Sequence, residues 1–139
     1  MKSVLLDTNT IVRFVTGEPE KQAAEVAGLV VLAGEGKIRL TILPMVLAES
    51  VFVLNGFYKH SRAAVAEALS HLIASPGFQS PELDRLQHAL KLFGVGKLDF
   101  VDCYLAAASI LEKVPVVSFD RDFDKLHGVV RKAPGSFEA

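Results

Sequence analysis

Lys2-Ser3-Val4-Leu5-Leu6-Asp7-Thr8-Asn9 decides how this chain is read. Ser3 to Leu6 forms an apolar run rather than an alternating one, which predicts a short central strand buried on both faces. Asp7 follows at once, and Thr8-Asn9 are residues that open helices. A carboxylate at the C-terminal end of a buried strand lies where α/β sheets gather their ligands.

The rest of the chain repeats this alternation. Thr8 to Thr16 reads as a short amphipathic helix stopped by Gly17, and Pro19 opens a longer one that ends at Gly34 and Gly36. Ile38 to Leu43 is β-rich. Pro44 starts a helix reaching Asn55-Gly56, and Ser61 caps another, to about Ala74. Phe78-Gln79 suits a very short strand. Ser80-Pro81-Glu82 reads as a capped helix start, with the helix running to Phe93. Asp99 caps an apolar helix to Lys113, Val114 to Phe119 is a third clear strand, and Val129 to Lys132 suits an edge strand. Strands alternating with helices predict a three-layer α/β/α sandwich around a parallel central sheet, with right-handed crossovers placing the strand C-termini on one rim. One domain is expected over residues 1–133, with a tail at 134–139.

Four acids fall at matching places: Asp7, Glu49, Asp102 and Asp120. Asp120 ends the strand Val116-Val117-Ser118-Phe119. Asp102 lies one turn into its helix, three residues after Asp99. Glu49 sits in an otherwise apolar helix, on the side shared by Met45, Phe52 and Val53. Two like charges ~5 Å apart at an effective dielectric of about 20 repel by roughly 3 kcal/mol. Acids that converge on one rim therefore call for protons or hard cations, which points to Mg²⁺ or Mn²⁺ and to phosphate chemistry. Asn9 and Ser118 could orient a carboxylate or a water around such an ion. Asp7 has a second role open to it, as a helix cap, and Asp99 and Asp102 could share or exchange the roles of cap and ligand.

Other chemistries fail on their spacing. Asp120-x-Asp122-x-Asp124 begins like a calcium loop, but Lys125 and Arg131 stand where that loop needs glycine and glutamate. His60, His71, His88 and His127 have no metal-ligand spacing. A single cysteine, Cys103, excludes an intrachain disulfide and fits a reducing cytoplasm. A net charge of −1 is not that of a general nucleic-acid coat protein. Arg13, Lys97 and Arg121 lie near the acidic motifs and suit either phosphate contacts or plain solvation. Half the residues are hydrophobic and the mean hydropathy is +0.35, an excess expected to line a subunit or partner interface. No apolar run approaches membrane-spanning length, and Val4-Leu5-Leu6 is too short for a signal-peptide core.

Asp7-Thr8-Asn9 after a first strand, Glu49 in an apolar helix, Asp102-Cys103-Tyr104-Leu105-Ala106-Ala107 and Ser118-Phe119-Asp120 together resemble the PIN-domain ribonucleases. The length and order of elements look most like the VapC toxins of prokaryotic toxin–antitoxin modules. The resemblance implies an endoribonuclease dependent on Mg²⁺, usually a homodimer, whose acidic pocket a cognate antitoxin blocks. By motif position Asp7, Glu49, Asp102 and Asp120 look like the family's acidic quartet, with Thr8, Asn9, Asp99 and Ser118 beside them. Cys103 departs from the alanine common after the third acid, which opens the prospect of redox sensitivity. Two rivals remain. A phosphatase with Asp7 as covalent nucleophile would want an acid where Asn9 stands. A non-catalytic RNA- or protein-binding module would show no affinity for Mg²⁺ or Mn²⁺.

Overall fold

Backbone hydrogen bonds sort the strands into two parallel groups. The structure is a computed structural model describing residues 2–137; Met1 and the end of the expected tail, residues 138–139, lie outside the described residues. β1 (Lys2–Leu5) pairs with β2 (Ile38–Thr41), Lys2 facing Ile38 and Leu5 facing Thr41. β2 also pairs with β3 (Phe78–Gln79). β4 (Val116–Val117) and β5 (Arg131–Lys132) form a separate pair. Every pairing is parallel, as the α/β pattern requires, but the expected single sheet is divided into groups of three and two strands.

The division leaves one edge of β1 and one edge of β4 without a strand partner among the described residues. Leu6 N–H donates to Thr41 O at 3.0 Å, so Val4 and Leu6 present their backbone groups to β2. Ser3 and Leu5 then present theirs to the opposite, open edge. On β4, Val116 and Ser118 N–H donate to Val130 O and Lys132 O at 2.9 and 3.1 Å, which leaves Val117 on the other edge. β1 is thus an edge strand rather than a doubly buried one. Leu6 is buried, but Leu5, pointing to the other face, is 68 % exposed. An apolar run of this length fits either situation, because alternation alone decides which side chain meets the core.

Two helical groups cover the larger sheet. α1 (Thr8–Thr16) packs on α2 (Glu20–Gly34), and α2 contacts β2. α4 (Arg62–Ile73), α5 (Leu83–Val95) and α6 (Phe100–Glu112) pack in series, with α4 against β3. α3 (Pro44–Phe52) touches α1, α4 and α6 and so joins the groups. Leu40, Ile42, Leu47, Leu54, Leu69 and Leu90 meet in the core with essentially no exposed surface. Burying each such side chain is worth about 1.5–3 kcal/mol, which is what holds the helices to the sheet.

Local signals were followed unevenly. Ser61 Oγ accepts from Ala64 N–H at 3.1 Å, the cap its sequence predicts. Pro19 lies just before α2 rather than inside its first turn. α3 stops at Phe52 and continues as a wider π turn, Val53–Phe57. Ser80 does not cap α5. Its hydroxyl donates to Ile42 O at 2.6 Å and ties the loop to β2, and the helix starts at Leu83 after Glu82 adopts φ +43°. Asp120 leads into a 3₁₀ turn, Arg121–Lys125, and a second such turn spans Pro134–Ser136 within the expected tail. Among the described residues no helix is long and apolar enough to cross a membrane.

Candidate active site

Asp7 performs the capping role its position offers. Thr10 N–H and Thr10 Oγ–H both donate to Asp7 Oδ1, at 2.9 and 2.8 Å. These bonds favour the ionised form, Arg13 adds a positive potential, and the carboxyl is held below its ordinary value. Capping uses Oδ1, and Asp7 remains exposed beyond the end of β1. The Asp7–Thr10 spacing is that of a cap and its third helical residue, a partner that local spacing alone identifies.

Glu49 is joined to the same rim by its neighbour. Thr8 Oγ–H donates to Glu49 Oε1 in a short hydrogen bond across 41 positions. Glu49 is exposed, and so are Met45 and Phe52 on its side of α3, at 85 % and 76 %. The apolar face inferred around Glu49 is therefore real but turned to solvent. Nothing in the sequence pairs Thr8 with Glu49, since only the β1–β2 register and the α1–α3 contact bring them together.

Asp102 gathers the second set of charges. It is half-buried in the first turn of α6. Burial pushes its carboxyl above the ordinary value, and the negative charges of Asp99, Asp120 and Asp122 push it in the same direction. Asp99 holds the N-cap position of α6, yet its side chain makes no capping hydrogen bond. Asp120 caps its own 3₁₀ turn by accepting from Asp122 N–H at 2.8 Å, and its N–H donates to Ser118 Oγ at 2.9 Å. Ser118 thus orients the backbone at Asp120. Arg131, which the sequence reading did not single out, donates to Ser118 O at 3.0 Å and grips Asp124 through Nε and Nη2. The Asn9 side chain is exposed and forms no hydrogen bond among the described residues.

Glu49 is thus joined to Thr8, the neighbour of Asp7, and Asp102 feels the charges of Asp99, Asp120 and Asp122. Among the described residues no three His, Cys, Asp or Glu side chains lie close enough to hold one ion. Asp7 and Asp120 follow strands that are not hydrogen-bonded neighbours. The donor chemistry suits a hard cation, because every candidate ligand is a carboxylate. Mg²⁺ is commonly held by one or two carboxylates, with water and phosphate oxygens completing its octahedron. Asp102 and Asp120, whose charges interact, are carboxylates of that kind.

Cys103 is removed from this chemistry. It is buried, its thiol is pushed up to about 11 mainly by burial, and its Sγ–H faces Leu98 O at 3.6 Å.

Comparison with known proteins agrees with the fold. A VapC ribonuclease from Aquifex aeolicus (strain VF5) is 29% identical over 123 residues, covering 88% of this chain and 90% of that protein. The pattern that defines the PIN domain matches residues 4–129, from within β1 to just before β5. The chain therefore belongs to the PIN-domain family.

Proposed function

We propose that this chain is an endoribonuclease, the toxin of a toxin–antitoxin pair, and that its activity requires Mg²⁺ or Mn²⁺. One observation carries the reading: the four candidate acids, with no histidine or cysteine among them, follow β1 and β4 and sit on the contacting helices α3 and α6. The similarity to a protein named a VapC ribonuclease supports the same reading.

Asp102 and Asp120 would hold the ion, with Asp7 and Glu49 as the remaining candidates. A bound divalent cation supplies a more acidic water and neutralises charge on the phosphate. The chain supplies orientation. Thr10 fixes Asp7, Thr8 fixes Glu49 and Ser118 fixes the backbone at Asp120. Arg13 and Arg121 border the acids and would take the flanking phosphates of the RNA. The exposed Met45, Phe52 and Val101 offer an apolar surface for an antitoxin or for a second copy in a homodimer. A cytoplasmic location follows from the RNA substrate.

A defined RNA incubated with Mg²⁺, with chelator, and with the Asp7→Asn protein tests the proposal. Cleavage only in the first case supports it, and cleavage that persists with chelator rejects the metal requirement. That no three such ligands gather among the described residues favours one rival, a non-catalytic binding module. Calorimetric titration with Mg²⁺ or Mn²⁺ showing no binding, together with uncut RNA, would establish that rival.

A further inference from the structure

A cavity of about 360 Å³ opens beside Asp102, between the end of α3, the π turn and the start of α6. Its walls include Phe52, Asn55, Arg62, Asp99 and Phe100. Arg62 is fixed in place: Nε–H donates to Phe93 O at 2.9 Å, Nη2–H donates to Leu98 O, and the guanidinium lies 3.8 Å over the Phe93 ring. Among the described residues Nη1 has no hydrogen-bond partner, so a rigid donor group remains. Asn55 Nδ2–H donates to His60 O at 2.9 Å, which leaves Oδ1 to accept. Asp99 neither caps α6 nor pairs with a cation among the described residues. Phe52 stands exposed at the rim. The π turn that carries Asn55 into the wall is the kind of helical irregularity often found at functional sites.

These groups describe a ligand that is flat, partly apolar and edged with both donors and acceptors. Aromatic side chains stack unpaired bases, and single-stranded RNA offers such bases with free edges. A carboxylate accepts two adjacent donors, and a guanidinium donates to a carbonyl or ring nitrogen. Guanine alone has two adjacent donors, N1–H and N2–H, beside an acceptor, O6. Uracil has one donor between two acceptors; adenine and cytosine set an acceptor beside their amino group. An apolar side chain from a partner would leave Arg62 Nη1 and the Asp99 carboxylate unmatched in the cavity. A duplex could not deliver a base there without unpairing it.

We propose that this cavity binds an unpaired guanine of the RNA substrate and so sets where the strand is cut. The inference rests on the ribonuclease reading for its substrate. Asp99 takes the N1–H and N2–H edge, Arg62 Nη1 donates to O6, and Phe52 closes on the ring. The phosphate next to that nucleotide then lies towards Asp102.

The test is titration of the full chain with each of the four nucleoside 5′-monophosphates, followed by amide chemical shifts. GMP is expected to perturb Phe52, Asn55 and Asp99 and to bind about tenfold more tightly than the other three. Asp99→Asn should abolish that preference, and Phe52→Ala should weaken all four about tenfold. Both positions are exposed, and the spectra of the variants report directly on their folding. Equal affinity for the four nucleotides, or perturbations confined to another surface, overturns the proposal. RNA cleavage is read separately. Cutting at sites away from guanosine, or cutting by a chain that ignores GMP, sinks this inference and leaves the ribonuclease reading intact. GMP binding by a chain that cuts no RNA sinks the ribonuclease reading and leaves the cavity assigned.

Discussion

Thr8 and Glu49 are joined by a hydrogen bond from the threonine hydroxyl to the glutamate carboxylate, 41 positions apart. The bond links the first turn of α1 to the middle of α3 and fixes the direction of an otherwise exposed carboxylate. Thr8→Val keeps the shape and removes the donor. Loss of one such charge-assisted bond at a wet surface should cost about 1 kcal/mol, measured by urea unfolding. RNA cleavage should fall with it, and Thr8→Ser should restore both.

Asp7 combines a cap with a candidate catalytic role, and two substitutions separate them. Asparagine caps nearly as well as aspartate, whereas alanine at such a position costs about 1 kcal/mol. Asp7→Asn should therefore lose cleavage while unfolding almost normally, and Asp7→Ala should lose both. The lowered carboxyl makes the pH dependence specific. The stability it contributes is present above the ordinary value of 3.8 and is lost as pH falls through the lower folded value. In Asp7→Asn that acid-side loss should shrink in denaturation curves taken across the range.

Asp102 has the opposite sign. Burial and its acidic neighbours raise the folded value, so stability is lost as pH rises from 3.8 through that value. Asp102→Asn should accordingly be more stable than the natural protein at pH 7. A carbon-13 NMR titration should also show Asp102 shifting downward in Asp120→Asn, because one of the charges that raises it has gone.

Cys103 should resist alkylation. With a thiol pushed up to about 11 and a buried sulfur, almost no thiolate is available at pH 7.5. Iodoacetamide should label it only after unfolding, and peroxide at the same pH should leave it unmodified. The redox sensitivity suggested by its place in the sequence is closed off by packing that the sequence does not display.

Gly77 should tolerate no side chain. Its φ is +83°, and a Cβ there would lie 2.3 Å from Ala33 O at the end of α2. Gly77 O also accepts from Leu40 N–H at 2.8 Å, so the turn cannot move away without loosening β2. Gly77→Ala should cost at least about 2 kcal/mol in chemical denaturation, from the backbone conformation and the close contact together.

Much of this was legible in the chain. The alternation of apolar runs and helix starts gave the α/β class, and Asp7, Ser61 and Asp120 cap the turns that follow them because a cap needs only local spacing. Pairing was less visible. Val4-Leu5-Leu6 carries no mark of whether its second edge is bonded, so the open edge of β1 could not be read from it. Ser80 and Asp99 looked like caps by residue type, but Ile42 O claims the first and the cavity wall includes the second. Thr8–Glu49 and the Arg62 clasp depend on contacts between distant segments, which leave no periodic trace.

Because Asp7, Glu49 and Asp120 each accept a hydrogen bond from the chain itself, the newly made polypeptide meets part of their charge as it collapses. Its shape need not await a cation, and chelator-treated preparations should melt as one cooperative unit.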